Sequence, residues 1–61
     1  MNPEDLKKLK KTNKCQECDL SGADLESANL TGANLEGANL DGVIGADFSG
    51  ALNVSPKYLK D

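Results

Sequence analysis

Leucine recurs at every fifth position through the middle of this chain, at Leu20, Leu25, Leu30, Leu35 and Leu40. Each leucine takes the third place of a five-residue unit, and the five consecutive units read CDLSG, ADLES, ANLTG, ANLEG and ANLDG. On an α-helix a fifth-residue spacing advances by roughly 500°, so the leucines would share no face. On one flat strand an odd spacing alternates faces. The period therefore predicts short extended segments with a corner in every unit.

The remaining positions of the unit predict an inside, an outside and a corner. The first residue is small and the third is large, so that together they can fill a narrow interior without voids. The second residue is always Asp or Asn and is expected to face water, while the fourth and fifth form the corner, where glycine tolerates tight backbone angles. The predicted interior residues are Cys15, Cys18, Leu20, Ala23, Leu25, Ala28, Leu30, Ala33, Leu35, Ala38, Leu40, Ala46 and Phe48.

These units closely resemble the motif A(D/N)LXX of the pentapeptide-repeat family, and a further unit, ADFSG, stands at residues 46–50. The resemblance covers about half of the chain. It implies an all-β fold, a right-handed quadrilateral β-helix in which four units make one coil of the solenoid. The repeats suffice for about 1.5 to 2 such coils, so caps must supply much of the stability.

We expect a single pentapeptide-repeat domain over residues 1–61. It would comprise an N-terminal capping helix at 1–13, repeat coils at 14–53 with a break at 43–45, and a C-terminal cap at 54–61. A coil of twenty residues predicts that Asp19 lies beneath Asn39. If residues 43–45 bulge outward, Phe48 would lie above Leu25.

Both ends of the coil are predicted to carry caps. Asn2 and Pro3 are typical of a helix start, which predicts a helix over about residues 3–11. Leu6 and Leu9 share one face of that helix and would cover the first coil.

At the other end, Ser55 before Pro56 predicts a helical turn at residues 56–59, with Tyr58 or Leu59 over the upper end. Lys60 and Asp61 are expected to be frayed. An incompletely covered end would allow a homodimer.

Charge divides the chain into a basic end and an acidic body. The net charge is −3; residues 1–14 carry five lysines against two acids, whereas residues 15–56 carry seven acids and no Lys or Arg. This balance, with few aromatic residues, argues against nucleic-acid binding. Since no membrane span or signal peptide is evident, a cytoplasmic location is expected. The family resemblance suggests a cyanobacterial-type source and makes thylakoid association an alternative.

Candidate chemistry is sparse. The chain has no histidine, its acids are expected on separate corners, and its hydroxyl groups have no evident base, so we predict no enzyme, no catalytic residues and no cofactor. Cys15 and Cys18 have a CxxC spacing, but zinc needs more ligands and redox motifs of this spacing usually open a helix. We interpret both as buried small hydrophobes, free or disulfide-bonded, rather than as a metal or thiol redox pair.

The leading hypothesis is a noncatalytic structural or protein-interaction module that meets an unknown protein partner through flat, polar outer faces. A second hypothesis follows from the resemblance, because some family members mimic DNA and bind DNA gyrase. Those members need a rod of many coils, whereas two coils rise only about 10 Å. The third is a thiol redox or metal role for Cys15 and Cys18.

Overall fold

The computed structural model describes residues 1–59 and contains two helices. Helix α1 spans Pro3–Thr12, and a 3₁₀ helix spans Pro56–Tyr58. Within residues 1–59 no β-strand or sheet forms between them. The intervening chain consists of short extended segments and tight corners, joined by isolated parallel bridges. These bridges are Lys14–Asn34, Asp19–Asn39, Asp24–Ile44 and Asn34–Leu52.

The predicted all-β, right-handed quadrilateral β-helix is therefore wrong, because the described residues contain helices and single bridges rather than strands. The physical reason lies in the unit itself. A corner at every fifth residue leaves one bridged residue in each extended segment, and consecutive bridges are needed for a ladder. The resemblance to the family implied the sheet, whereas the backbone pairing of this chain stops at single bridges.

Residues twenty apart are nevertheless paired, as the predicted register requires. Leu20 donates its N–H to the Asn39 carbonyl at 2.9 Å, and Asn39 donates to the Cys18 carbonyl at 2.8 Å. The same pattern joins Leu25 and Ala23 to Ile44. We call residues 13–32 the first coil and residues 33–50 the second coil. The expected position of Asp19 beneath Asn39 is confirmed.

The register changes from twenty to eighteen residues after Ile44. Leu52 pairs with Asn34, eighteen residues apart, whereas the other bridges span twenty. The corner bond from the Gly32 N–H to the Gly50 carbonyl, at 2.8 Å, spans eighteen residues, whereas those from Glu17 and Gly22 span nineteen. Residues 43–45 do not bulge outward as expected: Ile44 donates to the Ala23 carbonyl at 2.9 Å, and Val43 packs against the core. The segment acts as a unit shortened by two residues. Phe48 consequently does not lie above Leu25, because Ile44 already pairs with Asp24 and Gly45 lies against Glu26.

The core is a single cluster enclosed by the two coils and α1. The predicted interior positions Ala28, Ala46 and Phe48 are half-buried and pack against its edge. The fully buried residues are Leu9, Cys15, Cys18, Leu20, Ala23, Leu25, Leu30, Ala33, Leu35, Ala38 and Leu40.

In six units the corner is closed by the unit's own second residue, which is Asp or Asn. The Asn29 Oδ1 atom accepts the Thr31 N–H at 3.0 Å, and Asp24 and Asn34 accept from Glu26 and Glu36 in the same way. The fifth residue then adopts a positive φ, which glycine reaches without strain. In the unit ADLES this place is taken by Ser27, whose φ is 65°.

Helix α1 is fastened to the first coil at its N-terminus. The Asn2 Oδ1 atom caps the helix by accepting the Glu4 N–H at 2.9 Å, as the sequence predicted. The Asn2 N–H donates to the Asp19 carbonyl, and the Asp5 Oδ2 atom accepts the Asp19 N–H, both at 2.9 Å. Leu9 is buried beneath the first coil, and Leu6 is half-buried. The helix therefore covers the coil with apolar contacts, and its N-terminal residues supply hydrogen-bond partners for part of the coil's edge.

The C-terminal cap depends on Tyr58. Its hydroxyl accepts the Leu40 N–H at 3.2 Å and donates to the Asp41 Oδ1 atom at 2.8 Å. The Ser55 side chain makes no capping hydrogen bond, and Leu59 is 53% exposed and covers little of this end. The predictions for Lys60 and Asp61 lie outside the described residues.

We predict that Ser27→Gly raises the free energy of unfolding by about 0.5–1 kcal/mol, because glycine removes the steric cost of a positive φ. The matched change is Gly22→Ser, at the same place in a unit where no atom lies within 4 Å of an added Cβ. That variant should lose about 1 kcal/mol. Chemical denaturation measures both, and effects of equal sign would contradict the corner assignment.

Tyr58→Phe should lower the free energy of unfolding by about 1–2 kcal/mol, because it leaves the partly buried Leu40 N–H without its acceptor. Lys57→Ala is the control: its Nζ atom lies 4.0 Å from Asp41 and is exposed, so less than about 0.5 kcal/mol is expected. Thermal unfolding of both variants distinguishes the two contacts. Equal losses would mean that the hydroxyl does not cap this end.

Candidate interaction surface

The outer surface of the coils is built from the second residue of each unit. Asp19 accepts both the N–H and the hydroxyl of Ser21 on its Oδ1 atom, at 3.2 and 2.8 Å. Asp47 accepts the Ser49 N–H at 2.9 Å. Because one oxygen of each side chain closes the corner, the side chains are fixed in direction. The second oxygen of Asp19 lies 3.6 Å from the N-terminal ammonium group and makes no hydrogen bond that holds a corner.

Hydrogen bonding holds two of these carboxyl groups in the charged form. The Ser21 hydroxyl and N–H lower the pKa of Asp19, with a further contribution from the N-terminal ammonium group. The Ser49 N–H and hydroxyl lower the pKa of Asp47. Both groups are therefore anionic well below neutral pH.

A polar ladder follows the bridge between Asp19 and Asn39. The corner after this bridge brings Ser21 of the first coil close to Asp41 of the second, because the Gly22 N–H donates to the Asp41 carbonyl at 2.8 Å. The N-terminal ammonium group lies 3.6 Å from the Asp19 Oδ2 atom. We define Asp19, Ser21, Asn39 and Asp41 as the acidic ladder. The two cations beside it, the N-terminal ammonium group and Lys57, form weak surface ion pairs with Asp19 and Asp41, and a partner's cations could replace them.

A second ladder involves only amides. The Asn53 Nδ2 atom donates to the Asn34 Oδ1 atom at 3.2 Å, directly above the bridge of Asn34 with Lys14. Ile44 and Leu52 occupy the second place of their units but are apolar and about half exposed. The sides of the coil consequently differ: the Asp19–Asn39 side is acidic, the Asp24 side carries the exposed Ile44, and the Asn34 side carries amides together with the exposed Leu52.

Cys15 and Cys18 form a disulfide, which resolves the alternatives that the sequence left open. Both residues are buried, with 0% and 4% of their surface exposed, and the Cys15 sulfur lies 3.3 Å from the Asp5 carbonyl oxygen. The bridge thus packs directly beneath α1. Among the described residues no group of three or more His, Cys, Asp or Glu could hold a metal ion.

The crevices on the surface are small and contain no recognisable catalytic set among residues 1–59. Four of them have volumes between about 330 and 370 Å³. One is beside Tyr58 and the acidic ladder, two flank residues 27–30, and one lies on the lysine face of α1. In the part of the chain that the structure describes, no helix has the length and apolar character needed to cross a membrane.

The family model for pentapeptide repeats (8 copies) matches residues 14–44, half of the chain. The chain belongs to the pentapeptide-repeat family. The matched segment contains the five tandem units and the bridges from Lys14 to Ile44, so the family motif and the observed winding coincide. As a pentapeptide-repeat protein, the chain is a structural or interaction module. No curated protein and no solved structure gives a significant match.

Two elements of this surface were not predicted from the sequence. Tyr58 was expected to cover the upper end, but its hydroxyl contacts with Leu40 and Asp41 join residues seventeen and eighteen apart and have no local signal. The tie between Asp5 and Asp19 is equally remote. The corner role of the second residue did have a signal, because Asp or Asn holds the second place in the five tandem units and in ADFSG.

Acid should destabilise the fold partly through Asp19 and Asp47. Their folded-state pKa values are lowered, so the stability that they contribute is present above the unfolded-state pKa of about 3.9 and is lost as pH falls through the folded-state values. The double variant Asp19→Asn, Asp47→Asn keeps both acceptor oxygens. It should lose less stability than the parent between about pH 5 and pH 2. An identical loss in urea titrations across this range would contradict the assignment.

Reducing the disulfide should lower the free energy of unfolding by about 2 kcal/mol, the chain-entropy effect of a short loop. In a domain of this size the thermal midpoint would fall by on the order of 10 °C. The measurement is a thermal scan with and without a reducing agent, accompanied by thiol labelling. The variant with both cysteines changed to alanine serves as the control, because reductant should not alter it. Rapid labelling of the native protein without reductant would show that the bridge is absent.

Proposed function

We propose that this pentapeptide-repeat chain is a noncatalytic module that binds a protein partner through the acidic ladder. The proposal is supported chiefly by the bridge between Asp19 and Asn39, which aligns polar side chains of two coils on one side. The corner hydrogen bonds fix these side chains before binding, so a partner would not have to order them. Because residues 15–56 contain no Lys or Arg, a basic protein surface is the complementary partner.

Catalysis is not favoured by the arrangement of these groups. The carboxylates are spread along the outer surface, and the hydroxyl of Ser21 donates to Asp19 rather than facing a general base in a cleft. The DNA-mimic hypothesis is also not favoured, since two coils present about 10 Å of height rather than a rod. The buried disulfide is better suited to stability than to thiol exchange, which requires access to a sulfur atom.

The test is affinity capture from native lysate followed by mass spectrometry, using the parent, Asp19→Asn and Asp24→Asn. Both substitutions remove one charge and keep the acceptor that closes the corner. Asp24 lies beneath the aliphatic Ile44 rather than beneath an amide, which makes it the matched control. A partner retained by Asp24→Asn and lost with Asp19→Asn, in a salt-sensitive manner, would support the proposal. No reproducible partner, or equal retention by both variants, would contradict it.

We also propose self-association through the end of the second coil. Leu52 and Leu59 are 51% and 53% exposed there, and a second copy would cover them. Light scattering over a range of concentrations tests this, with Leu52→Asn as the variant, because Asn or Asp fills this place in other units. Association that the variant abolishes would support the dimer. A monomer at high concentration would contradict it.

A further inference from the structure

The edge of the first coil that faces α1 has its backbone groups satisfied at Asp19. The chain's own N-terminus supplies the partners: Asn2 donates its N–H to the Asp19 carbonyl, and Asp5 accepts the Asp19 N–H, each at 2.9 Å. The neighbouring groups of Cys18 and Leu20 bond to Asn39 on the other edge. Asp19 therefore shows what this edge requires, namely one donor for its carbonyl and one acceptor for its N–H, here a backbone N–H and a side-chain carboxylate.

Asn29 occupies the same place in its unit, two units further along, without such partners. Among residues 1–59 neither its N–H nor its carbonyl has a hydrogen-bond partner. A crevice of about 330 Å³ lies beside it, between Leu9 and Lys10 of α1 and residues 26–30 of the first coil. Leu9 and Leu30 are buried and form its apolar floor. The edge that the N-terminus fills at Asp19 is thus open at Asn29.

The opposite edge of the same segment is open as well. Leu30 N–H and Ala28 C=O correspond to the groups of Leu20 and Cys18 that bond to Asn39, yet within the described residues they find no partner on the second coil. A second crevice, of about 370 Å³, lies between residues 27–31 and 45–49. Asp47 lines this same crevice as Asn29, and among the described residues no bridge joins the two. Residues 28–30 therefore lack the hydrogen bonds between coils that the bridged segments have.

We propose that residues 28–30 form a docking edge for an extended peptide segment in which basic and apolar side chains alternate. Its backbone would donate to the Asn29 carbonyl and accept the Asn29 N–H, and so supply the two partners that the Asn2 N–H and the Asp5 carboxylate supply at Asp19. Its apolar side chains would face Leu9 and Leu30. The two crevices beside residues 28–30 are lined by two acids, Glu26 and Asp47, against one base, Lys10, which favours basic side chains between the apolar ones. The inference rests on the proposed function as a protein-interaction module and specifies the chemistry of the partner.

The experiment uses the full chain labelled with ¹⁵N and a capped hexapeptide that alternates lysine and valine. Binding should slow hydrogen exchange of the Asn29 amide by about tenfold or more, because the amide gains an acceptor. The same peptide with methylated backbone nitrogens keeps its charges and loses its donors. It should bind at least about tenfold more weakly. Equal binding of the two peptides, or no slowing at Asn29, would overturn the proposal.

Two matched variants separate contact at this edge from general attraction to an acidic protein. Glu26→Gln should weaken binding of the hexapeptide by about fivefold, whereas Glu36→Gln should change it by less than about twofold. Glu26 and Glu36 hold the same place in their units, and both donate an N–H to the second residue. Equal weakening by the two variants would overturn the proposal in favour of charge alone.

The two proposals can be contradicted independently, because they predict different results. A captured partner that depends on Asp19 but leaves the Asn29 amide exchanging at its free rate would overturn this inference and leave the module's function intact. A peptide that protects Asn29, together with a captured partner that ignores Asp19, would support this edge and contradict the acidic ladder.

Discussion

The corner hydrogen bond within each unit is the interaction on which the rest of the structure depends. The Asp or Asn side chain at the second place accepts the N–H two residues later, for example from Thr31 to Asn29, and the fifth residue takes a positive φ. Repeating this corner every five residues turns the small first and large third residues inward. The same bond fixes the outer side chain in direction, so one contact determines both the core and the surface that a partner meets.

Pairing between the coils is limited by the spacing of the corners. Each extended segment is long enough for one bridge, so the coils are joined by isolated contacts such as Asp19 with Asn39 rather than by strands. A small domain held this way depends on its ends. Asn2 and Asp5 satisfy the first coil at Asp19, and the Tyr58 hydroxyl satisfies the second coil at Leu40. Where no such contact exists, at residues 28–30, the edge stays open.

The sequence predicted local features better than remote ones. The start of α1 at Asn2 and Pro3, the register of Asp19 with Asn39 and the family all follow from short-range patterns. The absence of strands did not follow from the sequence, because the family motif implies a sheet. Whether neighbouring residues form consecutive bridges depends on hydrogen bonding between the coils. The sequence also could not predict the path of Ile44, the disulfide or the contacts of Tyr58, because each depends on residues that the winding of the chain brings together.

The central claim is that the five-residue units wind with a register of twenty residues, joined by single bridges, and that this register changes after Ile44. Amide hydrogen exchange on the native chain tests it most directly, because Leu20, Leu25 and Leu30 hold the same place in successive units. The account predicts slow exchange at Leu20 and Leu25, which donate to Asn39 and Ile44, and fast exchange at Leu30, for which the described residues supply no acceptor. Equal exchange at all three leucines would contradict it.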